Sequence, residues 1–278
     1  MIISHNLYVK IKKILKPFRN YIFKPPHTNQ AYDKTIDPNP PPPPAFAEES
    51  LERHISRISI ELSNLCNYAH RHKKCPVSWY TEKKILSSEI FFKVVNELAG
   101  YGFCGELAFH RYNEPMLDKR LYDFIGYVNK KLPRAKIFIL TNGSFLNQET
   151  LQKLEQHKIW LITVSSYDFK EHERLSKLQT AIPYRVYFSH LDDREDIYSR
   201  RPINSGDPCY ATLRDITVNC CGDLSICCLD WRNDYTFGSL KDHSLKELLN
   251  SPAFLAVHRD LFQGRRNLEI CRRCDWQR

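Results

Sequence analysis

The stretch ISRISIELSNLCNYAHRHKKC, residues 55–75, joins a β-branched apolar run to a loop that carries two cysteines and two histidines. The run alternates apolar and polar residues and predicts a β-strand over 55–62. A loop that directly follows a strand can turn several side chains toward one point, and soft sulfur ligands suit iron. This loop is therefore either a metal-cluster loop or a basic surface loop that happens to hold two thiols.

Strand-like and helix-like segments alternate after this stretch, up to about residue 190. The strand-like segments are short and rich in β-branched and aromatic residues, whereas the helix-like segments repeat apolar residues every three or four positions. This alternation is typical of a parallel sheet with right-handed helical crossovers. The further predicted segments are strands at 105–109, 136–143, 160–166 and 184–189 and helices at 87–102, 117–132 and 147–157.

The region from residue 206 onward differs because it holds most of the ten cysteines. Residues 213–230 predict two short strands around a Cys-Cys-Gly-Asp turn, and residues 244–264 predict a helix. A Cys-x2-Cys pair holds a metal from one side and a hairpin cysteine holds it from the other, which leaves zinc and an iron–sulfur cluster both open. The candidate ligands are Cys209, Cys227, Cys271 and Cys274, with Cys228 as a substitute for Cys227 because neighbouring strand residues face opposite ways.

The composition excludes collagen-like, coiled-coil and fully disordered classes, because 42% of the 278 residues are hydrophobic. The N-terminus lacks the apolar core and cleavage site of a secretory signal, so the cysteines favour a reducing compartment. We therefore expect a cytoplasmic protein. No run of residues is apolar enough to predict a transmembrane helix.

The net charge of +9 is concentrated at the N-terminus, where the first 32 residues contain lysines and an arginine but no acid. Residues 1–24 are interpreted as a basic tail, either a helix in weak contact with an anionic membrane surface or a partner, or a solvated segment. The run DPNPPPPPAF predicts a polyproline linker within residues 25–50. The remaining predicted domains are 51–205 and 206–278.

Several stretches together resemble the radical S-adenosylmethionine (SAM) enzymes with a C-terminal auxiliary cluster domain of SPASM or twitch type. IELSNLCN resembles the entry to the family's cluster loop, and LAFHRYNEPMLD resembles a strand and loop usually written with Gly-Glu-Pro. ILTNGSFLN and ITVSSYD resemble the third and fourth strands. The resemblance implies an α/β fold: a partial (β/α)6 TIM-like barrel of radical SAM type with a small, cysteine-rich SPASM-like domain.

The resemblance also implies the cofactors, which are one SAM-binding 4Fe-4S cluster, one auxiliary 4Fe-4S cluster and SAM itself. The cluster loop departs from the usual Cys-x3-Cys-x2-Cys, because its thiols are Cys66 and Cys75 alone. The third ligand is then His70, His72 or a distant cysteine. A second departure is Asn113 in place of the usual Gly, and we expect the turn to survive because Asn tolerates a positive φ. The implied SAM contacts are Tyr68, Asn113, Glu114, Asn142, Ser165 and Ser166.

The implied activity is that of a radical SAM oxidoreductase or epimerase. Such an enzyme cleaves SAM reductively to a 5′-deoxyadenosyl radical and abstracts hydrogen from a carbohydrate-like, cyclitol-like or other small substrate. Two alternatives stay open: modification of a ribosomally made peptide, and a degenerate iron–sulfur binding protein without SAM chemistry. The implied partner is an electron donor such as flavodoxin or ferredoxin, and we expect no nucleic acid.

Overall fold

The computed structural model describes residues 55–72, 75–189, 197–203, 206–209, 212 and 215–274. The predicted basic tail and Pro-rich linker, residues 1–50, lie outside these ranges. Within them, none of the helices has the length and apolar character that a membrane span requires.

Strands and helices alternate through the first part of the described chain, as the sequence predicts. The strands are β1 (Arg57–Ile60), β2 (Glu106–Ala108), β3 (Lys136–Thr141), β4 (Leu161–Ser166), β5 (Tyr184–Phe188), β6 (Asp215–Val218), β7 (Asp223–Ser225) and β8 (Thr236–Ser239). The α-helices are α1 (Ser88–Gly100), α2 (Leu121–Lys131), α3 (Gln148–Leu154), α4 (Phe169–Ser176), α5 (Leu245–Leu249), α6 (Pro252–Phe262) and α7 (Glu269–Arg272). Short 3₁₀ turns lie at Pro76–Trp79, Pro115–Leu117 and Ile197–Ser199.

Local capping explains where several of these helices begin. The Ser87 side chain accepts a hydrogen bond from a backbone N–H in the first turn of α1. Asn147 and Thr150 form a reciprocal capping box at the start of α3. The predicted helix over 244–264 is wrong as a single element, because Ser251 and Pro252 start a new helix after α5 ends.

All eight strands belong to one sheet, in the order β5-β4-β3-β2-β1-β6-β7-β8. Strands β1 to β5 pair in parallel, as the alternating pattern predicts, and β6 pairs in parallel with the other side of β1. Strands β7 and β8 continue the sheet in antiparallel fashion. An open sheet of six parallel strands with helical crossovers is the partial barrel that the resemblance implies, so the predicted fold class is confirmed.

Strand β6 has a role that the sequence analysis did not predict. Residues 215–218 form the expected hairpin with β7, but they also pair with β1, where Ile216 lies opposite Ile58. The sheet therefore runs through the predicted domain border at residues 205 and 206, and that border stays a prediction. Helix α4 and strand β8 were also missed. Pairing between segments this distant in sequence leaves no local pattern that could predict it.

The carboxyl ends of the parallel strands lie on one side of the sheet, above a packed hydrophobic core. Helices α1 and α2 meet through Phe91 and Phe124, whose rings stack with centroids 4.0 Å apart and which are both buried. Because β1 to β4 are parallel, the loops that follow them leave from the same edge. These loops carry the predicted SAM-binding and cluster-binding residues.

Candidate functional site

The loop after β1 brings its two cysteines into one small apolar cluster. Cys66 and Cys75 both pack in this cluster with Ala69 and Val77, and the Cys75 residue is 1% exposed. The loop turns tightly because the backbone N–H of Ala69 donates to the carbonyl of Cys66 at 3.2 Å. The two predicted thiolate ligands therefore lie on the same side of the loop.

The two histidines of this loop differ in their surroundings. His72 is 3% exposed, and its ring packs edge-on against that of Tyr167 with centroids 4.5 Å apart. Tyr68 is also buried and lies next to both rings. His70 is exposed. Only one of the two imidazoles that the spacing allows is therefore held inside the protein.

Glu114 lies at the centre of a hydrogen-bond network between the loops after β2 and β3. Its Oε1 accepts from the Thr141 hydroxyl at 2.6 Å and from the Met116 N–H, and its Oε2 accepts from the Asn142 N–H at 2.7 Å. The residue is 1% exposed, and this burial raises the pKa of its carboxyl while the three hydrogen bonds lower it. Glu114 thus fixes the two loops against each other.

Asn113 does not adopt the positive φ that the sequence analysis expects. Among the described non-glycine residues, Asn233 is the one with a positive φ. Asn113 instead accepts a hydrogen bond from the backbone N–H of Arg111 through its side-chain oxygen at 3.2 Å. Its Nδ2 is buried and has no hydrogen-bond partner within the described part of the chain. The described contact of Asn113 is thus made by its side chain, its backbone has no positive φ, and survival of the turn that receives SAM stays a prediction.

Asn142 connects the end of β3 with the cysteine loop. Its Nδ2 donates to the side-chain oxygen of Asn67 at 2.8 Å and lies 3.8 Å from the sulfur of Cys66. The backbone N–H of Tyr68 also points at this sulfur, at 3.4 Å. Amide donors next to a thiolate stabilise its charge, so this neighbourhood suits a cysteine that binds a metal.

The two serines at the end of β4 point in opposite directions, as neighbouring strand residues do. Ser166 is buried and its hydroxyl contacts Nδ1 of His172 in α4 at 2.7 Å and the carbonyl of Tyr187 at 3.0 Å. These contacts place it between β4, β5 and α4. Ser165 is half-buried on the other face of the strand. The Ser166 hydroxyl is thus engaged within the protein, and a SAM contact by either serine stays a prediction.

A buried ion pair joins the parallel strands to the loop after β7. Glu61, just after β1, lies 3.5 Å from Nη1 of Arg111, and both side chains are at most 1% exposed. Nη1 of Arg111 also donates to the Asn233 side chain at 2.7 Å, and Nη2 donates to the carbonyl of Asp230. The sequence analysis missed this pair, because a single Glu or Arg gives no pattern that separates it from solvated charges.

The C-terminal cysteines lie near one another. Burial, with smaller contributions from the charges of Cys209 and Cys274, raises the pKa of the Cys271 thiol to about 12. Burial also raises the pKa of Cys227, with contributions from Cys228 and Cys271. Burial, with smaller contributions from Asp215 and Cys274, raises the pKa of the Cys228 thiol to about 12. Both cysteines of the Cys227-Cys228 pair thus face the other thiols closely enough to interact.

Within the described ranges, no group of three or more His, Cys, Asp or Glu side chains is arranged around a point that one metal ion could fill. The thiolates of a 4Fe-4S cluster bind separate irons and are therefore farther apart than the ligands of a single ion. Desolvated thiols that lie near one another provide the ligand type that such a cluster needs.

Comparison with known proteins identifies the C-terminal region first. Residues 209–275 match the SPASM family, which is described as an iron–sulfur cluster-binding domain. The matched range includes the hairpin of β6 and β7 and all four predicted auxiliary ligands.

Similar proteins extend over most of the chain. The S-adenosyl-L-methionine-dependent 2-deoxy-scyllo-inosamine dehydrogenase of Niallia circulans is 25% identical over 236 residues, covering 81% of this chain and 94% of the relative. The crystal structure of BtrN in complex with AdoMet and 2-DOIA has a TM-score of 0.67 at 22% identity, over 80% of this chain and 93% of that one. anSMEcpe with bound AdoMet has a TM-score of 0.54 at 11% identity, over 79% and 86% of the two chains.

The sheet order, the cysteine loop and these likenesses define the class of the protein. The chain has the fold of the radical SAM enzymes and carries a SPASM domain at its C-terminus, which confirms the resemblance drawn from the sequence. The predicted radical SAM character and the predicted iron–sulfur and SAM cofactors agree with the SPASM match and with the S-adenosyl-L-methionine-dependent dehydrogenase to which the chain is similar. Within the class, the similarity spans nearly the whole length of an inosamine dehydrogenase.

Proposed function

We propose that this protein is a radical SAM dehydrogenase of a cyclitol or a similar polyhydroxylated ring. The observation that carries the proposal is the similarity to the Niallia circulans dehydrogenase, which spans 94% of that enzyme and is therefore not limited to one domain. The SPASM match at residues 209–275 supports it, because an oxidation needs an electron acceptor besides SAM.

Cys66, His72 and Cys75 hold the SAM-binding cluster in this proposal. The two thiols share one apolar cluster, and His72 is the buried imidazole of the same loop. Neutral imidazole binds iron, and in Rieske centres it replaces thiolate. His70 is exposed and is the weaker choice. Three protein ligands leave one iron for the amino and carboxyl groups of SAM.

Glu114 and Asn113 provide polar groups for SAM beside this loop. Oε2 of Glu114 accepts a hydrogen bond from Asn142, and a carboxylate oxygen has two lone pairs, so it can also accept from an amine. Nδ2 of Asn113 is a buried donor without a partner among the described residues. Leaving such a donor unpaired costs about 1–3 kcal/mol, which a ligand acceptor would recover. These residues therefore fit a ligand that carries both an amine and a carboxylate.

Cys209, Cys227 or Cys228, Cys271 and Cys274 hold the auxiliary cluster. When bound, SAM and the first cluster would supply the removal of one hydrogen atom from a carbinol carbon of the substrate, and the auxiliary cluster would supply an acceptor for one electron. With the loss of one proton as well, the carbinol becomes a ketone. The chain's contribution is to hold the ligands, to bury them and to keep water from the site. An electron donor such as flavodoxin or ferredoxin would supply the reducing electron.

The test is anaerobic reconstitution of the full chain, followed by reduction in the presence of SAM. We expect about eight irons per chain, two distinct 4Fe-4S signals by electron paramagnetic resonance (EPR), and formation of 5′-deoxyadenosine. Addition of 2-deoxy-scyllo-inosamine as a probe should increase 5′-deoxyadenosine and yield the corresponding ketone. About four irons without SAM cleavage would instead identify a degenerate iron–sulfur protein. SAM cleavage with no response to any of a panel of aminocyclitols and cyclitols would contradict the substrate class.

A further inference from the structure

Arg266 lies in the connection between α6 and α7 and is 7% exposed. Its Nη1 donates to the backbone carbonyl of Cys274 at 2.7 Å and, more weakly, to that of Cys271 at 3.4 Å. Its Nε and Nη2 both donate to the carbonyl of Asp207 at 3.2 Å. One guanidinium thus contacts the backbone at or next to three of the four predicted auxiliary ligands, since Cys209 follows Asp207 by two residues.

The segment that carries Cys209 is also fixed to this connection by close backbone packing. Gly264 has a φ of +72°, and a Cβ at this position would lie 1.9 Å from the carbonyl oxygen of Gly206. The backbone N–H of Cys209 donates to the carbonyl of Leu261, at the end of α6, at 2.9 Å. Glycine is therefore required at 264 both for its conformation and for space. The connection after α6 holds two chain segments that are distant in sequence.

Arg266 holds its charge inside the protein, because its side chain is buried beside the backbone of Cys271 and Cys274. Arg265, the adjacent residue, instead pairs with Asp260 at the surface, where its side chain is 52% exposed. The two arginines therefore have the same charge but very different access to the cysteines.

We propose that Arg266 is a positioning residue of the auxiliary cluster, which aligns Cys209, Cys271 and Cys274 through their backbone and places a buried positive charge beside the cluster. A planar guanidinium can bridge carbonyls from two chain segments, whereas a lysine ammonium acts as a point charge. The positive charge stabilises the reduced cluster, which is the more negative state, and so favours acceptance of an electron from substrate. This inference rests on the proposed function, because it requires an iron–sulfur cluster at these cysteines.

The experiment isolates the auxiliary cluster in a Cys66→Ala/Cys75→Ala background of the full chain. Arg266→Gln, Arg266→Lys and the control Arg265→Gln are reconstituted anaerobically in this background. Three quantities are measured: iron per chain, the rate of cluster loss to an excess chelator, and the midpoint potential from dye-mediated titration followed by EPR.

We expect Arg266→Gln to lose its cluster about tenfold faster than the parent and to have a more negative midpoint potential. Arg266→Lys should recover the potential but not the resistance to the chelator, because the charge returns without the bridging geometry. Arg265→Gln should match the parent in both. A parent-like potential and chelation rate in Arg266→Gln would overturn the inference.

Two further outcomes keep the inference separate from the proposed function. If Arg266→Gln does not fold, Arg266→Lys decides alone: faster cluster loss at an unchanged potential supports the proposal, and an unchanged rate overturns it. If the Cys66→Ala/Cys75→Ala parent itself binds zinc, or no iron, the proposed auxiliary cluster is wrong and the inference is overturned with it.

Discussion

At the residue scale, the two histidines of the cysteine loop differ in burial, and we propose the buried one as a ligand of the first cluster. The spacing of the loop allows His70 and His72 equally, but His72 is buried against Tyr68 and Tyr167 whereas His70 is exposed. A cluster ligand has to be held in place before the metal binds, since an ordered side chain loses less entropy on binding.

The matched variants His72→Ala and His70→Ala test this assignment. We expect His72→Ala to lower the iron content from about eight to about four per chain and to abolish 5′-deoxyadenosine formation. His70→Ala should retain both clusters. Isotopic labelling with ¹⁵N-histidine adds a direct measurement, because pulsed EPR detects a nitrogen bound to the cluster. Full iron in His72→Ala together with loss of a cluster in His70→Ala would reverse the assignment.

A second residue-scale prediction concerns the buried carboxylate of Glu114. Replacement by Gln keeps the shape but puts an NH2 group beside donors from Thr141, Met116 and Asn142, so that at least one buried donor loses its acceptor. We expect Glu114→Gln to lower the free energy of unfolding of the apo-protein by about 1–3 kcal/mol in a denaturant titration. The control is Glu149→Gln, whose exposed carboxylate pairs with Lys153 at the surface and should matter little. Equal stability of both variants would show that the network contributes nothing.

At the element scale, helix α6 buries a histidine that makes its packing sensitive to acid. His258 is fully buried, its ring stacks on Phe254 with centroids 3.8 Å apart, and its Nδ1 contacts the Phe254 carbonyl at 2.7 Å. Burial lowers the pKa of His258 to about 4. His258 therefore becomes protonated near pH 6.5 in the unfolded chain but only near pH 4 in the folded chain.

This difference predicts the direction of the pH dependence. Because the unfolded state binds more protons in this window, the stability due to neutral His258 is present above pH 6.5 and is lost as the pH falls toward 4. From pH 7 to pH 5 the loss is about 2 kcal/mol. In anaerobic denaturant titrations of the apo-protein, His258→Gln should lose less stability over this range than the parent. The control is His243→Gln, because His243 is exposed, and its free energy of unfolding should change with pH as that of the parent does. The same pH dependence in His258→Gln as in the parent would contradict the prediction.

At the scale of the whole molecule, the Glu61–Arg111 pair connects the first parallel strands with the loop that follows the cysteine hairpin. Both side chains are fully buried, and Arg111 also contacts Asn233 and Asp230. Removing one member of a buried pair leaves the other charge unpaired in a low-dielectric interior, which costs more than the pair itself contributes.

We therefore expect Arg111→Met to lower the free energy of unfolding by about 3–5 kcal/mol. The double variant Glu61→Gln/Arg111→Met should recover part of this loss, because the unpaired carboxylate is then neutral. Recovery should be incomplete, since Glu61 also accepts from the backbone N–H groups of Tyr112 and Cys220. Chemical denaturation monitored at two spectroscopic probes measures both effects. A double variant less stable than Arg111→Met would contradict this account.

The sequence by itself determined the fold class and the places of the two cysteine regions. Strand and helix patterns depend on local periodicity and capping, so the alternation over residues 55–189 could be predicted directly, apart from helix α4. The cysteine spacings identified both regions as candidate metal sites, and the family resemblance, rather than the spacing, indicated iron–sulfur clusters. Local patterns also misled, as at Asn113, where a backbone argument missed a side-chain hydrogen bond to Arg111.

The tertiary structure alone decided which distant groups meet. The pairing of β6 with β1, the burial of His72 rather than His70, and the contacts of Arg111 and Arg266 all join segments that are remote in the chain. Burial and long-range hydrogen bonds depend on the packing of the whole molecule, whereas each of these residues has an ordinary local context. The physical reason is that ligand types follow from residue identity, but their ordering and charge environment follow only from how the chain is packed.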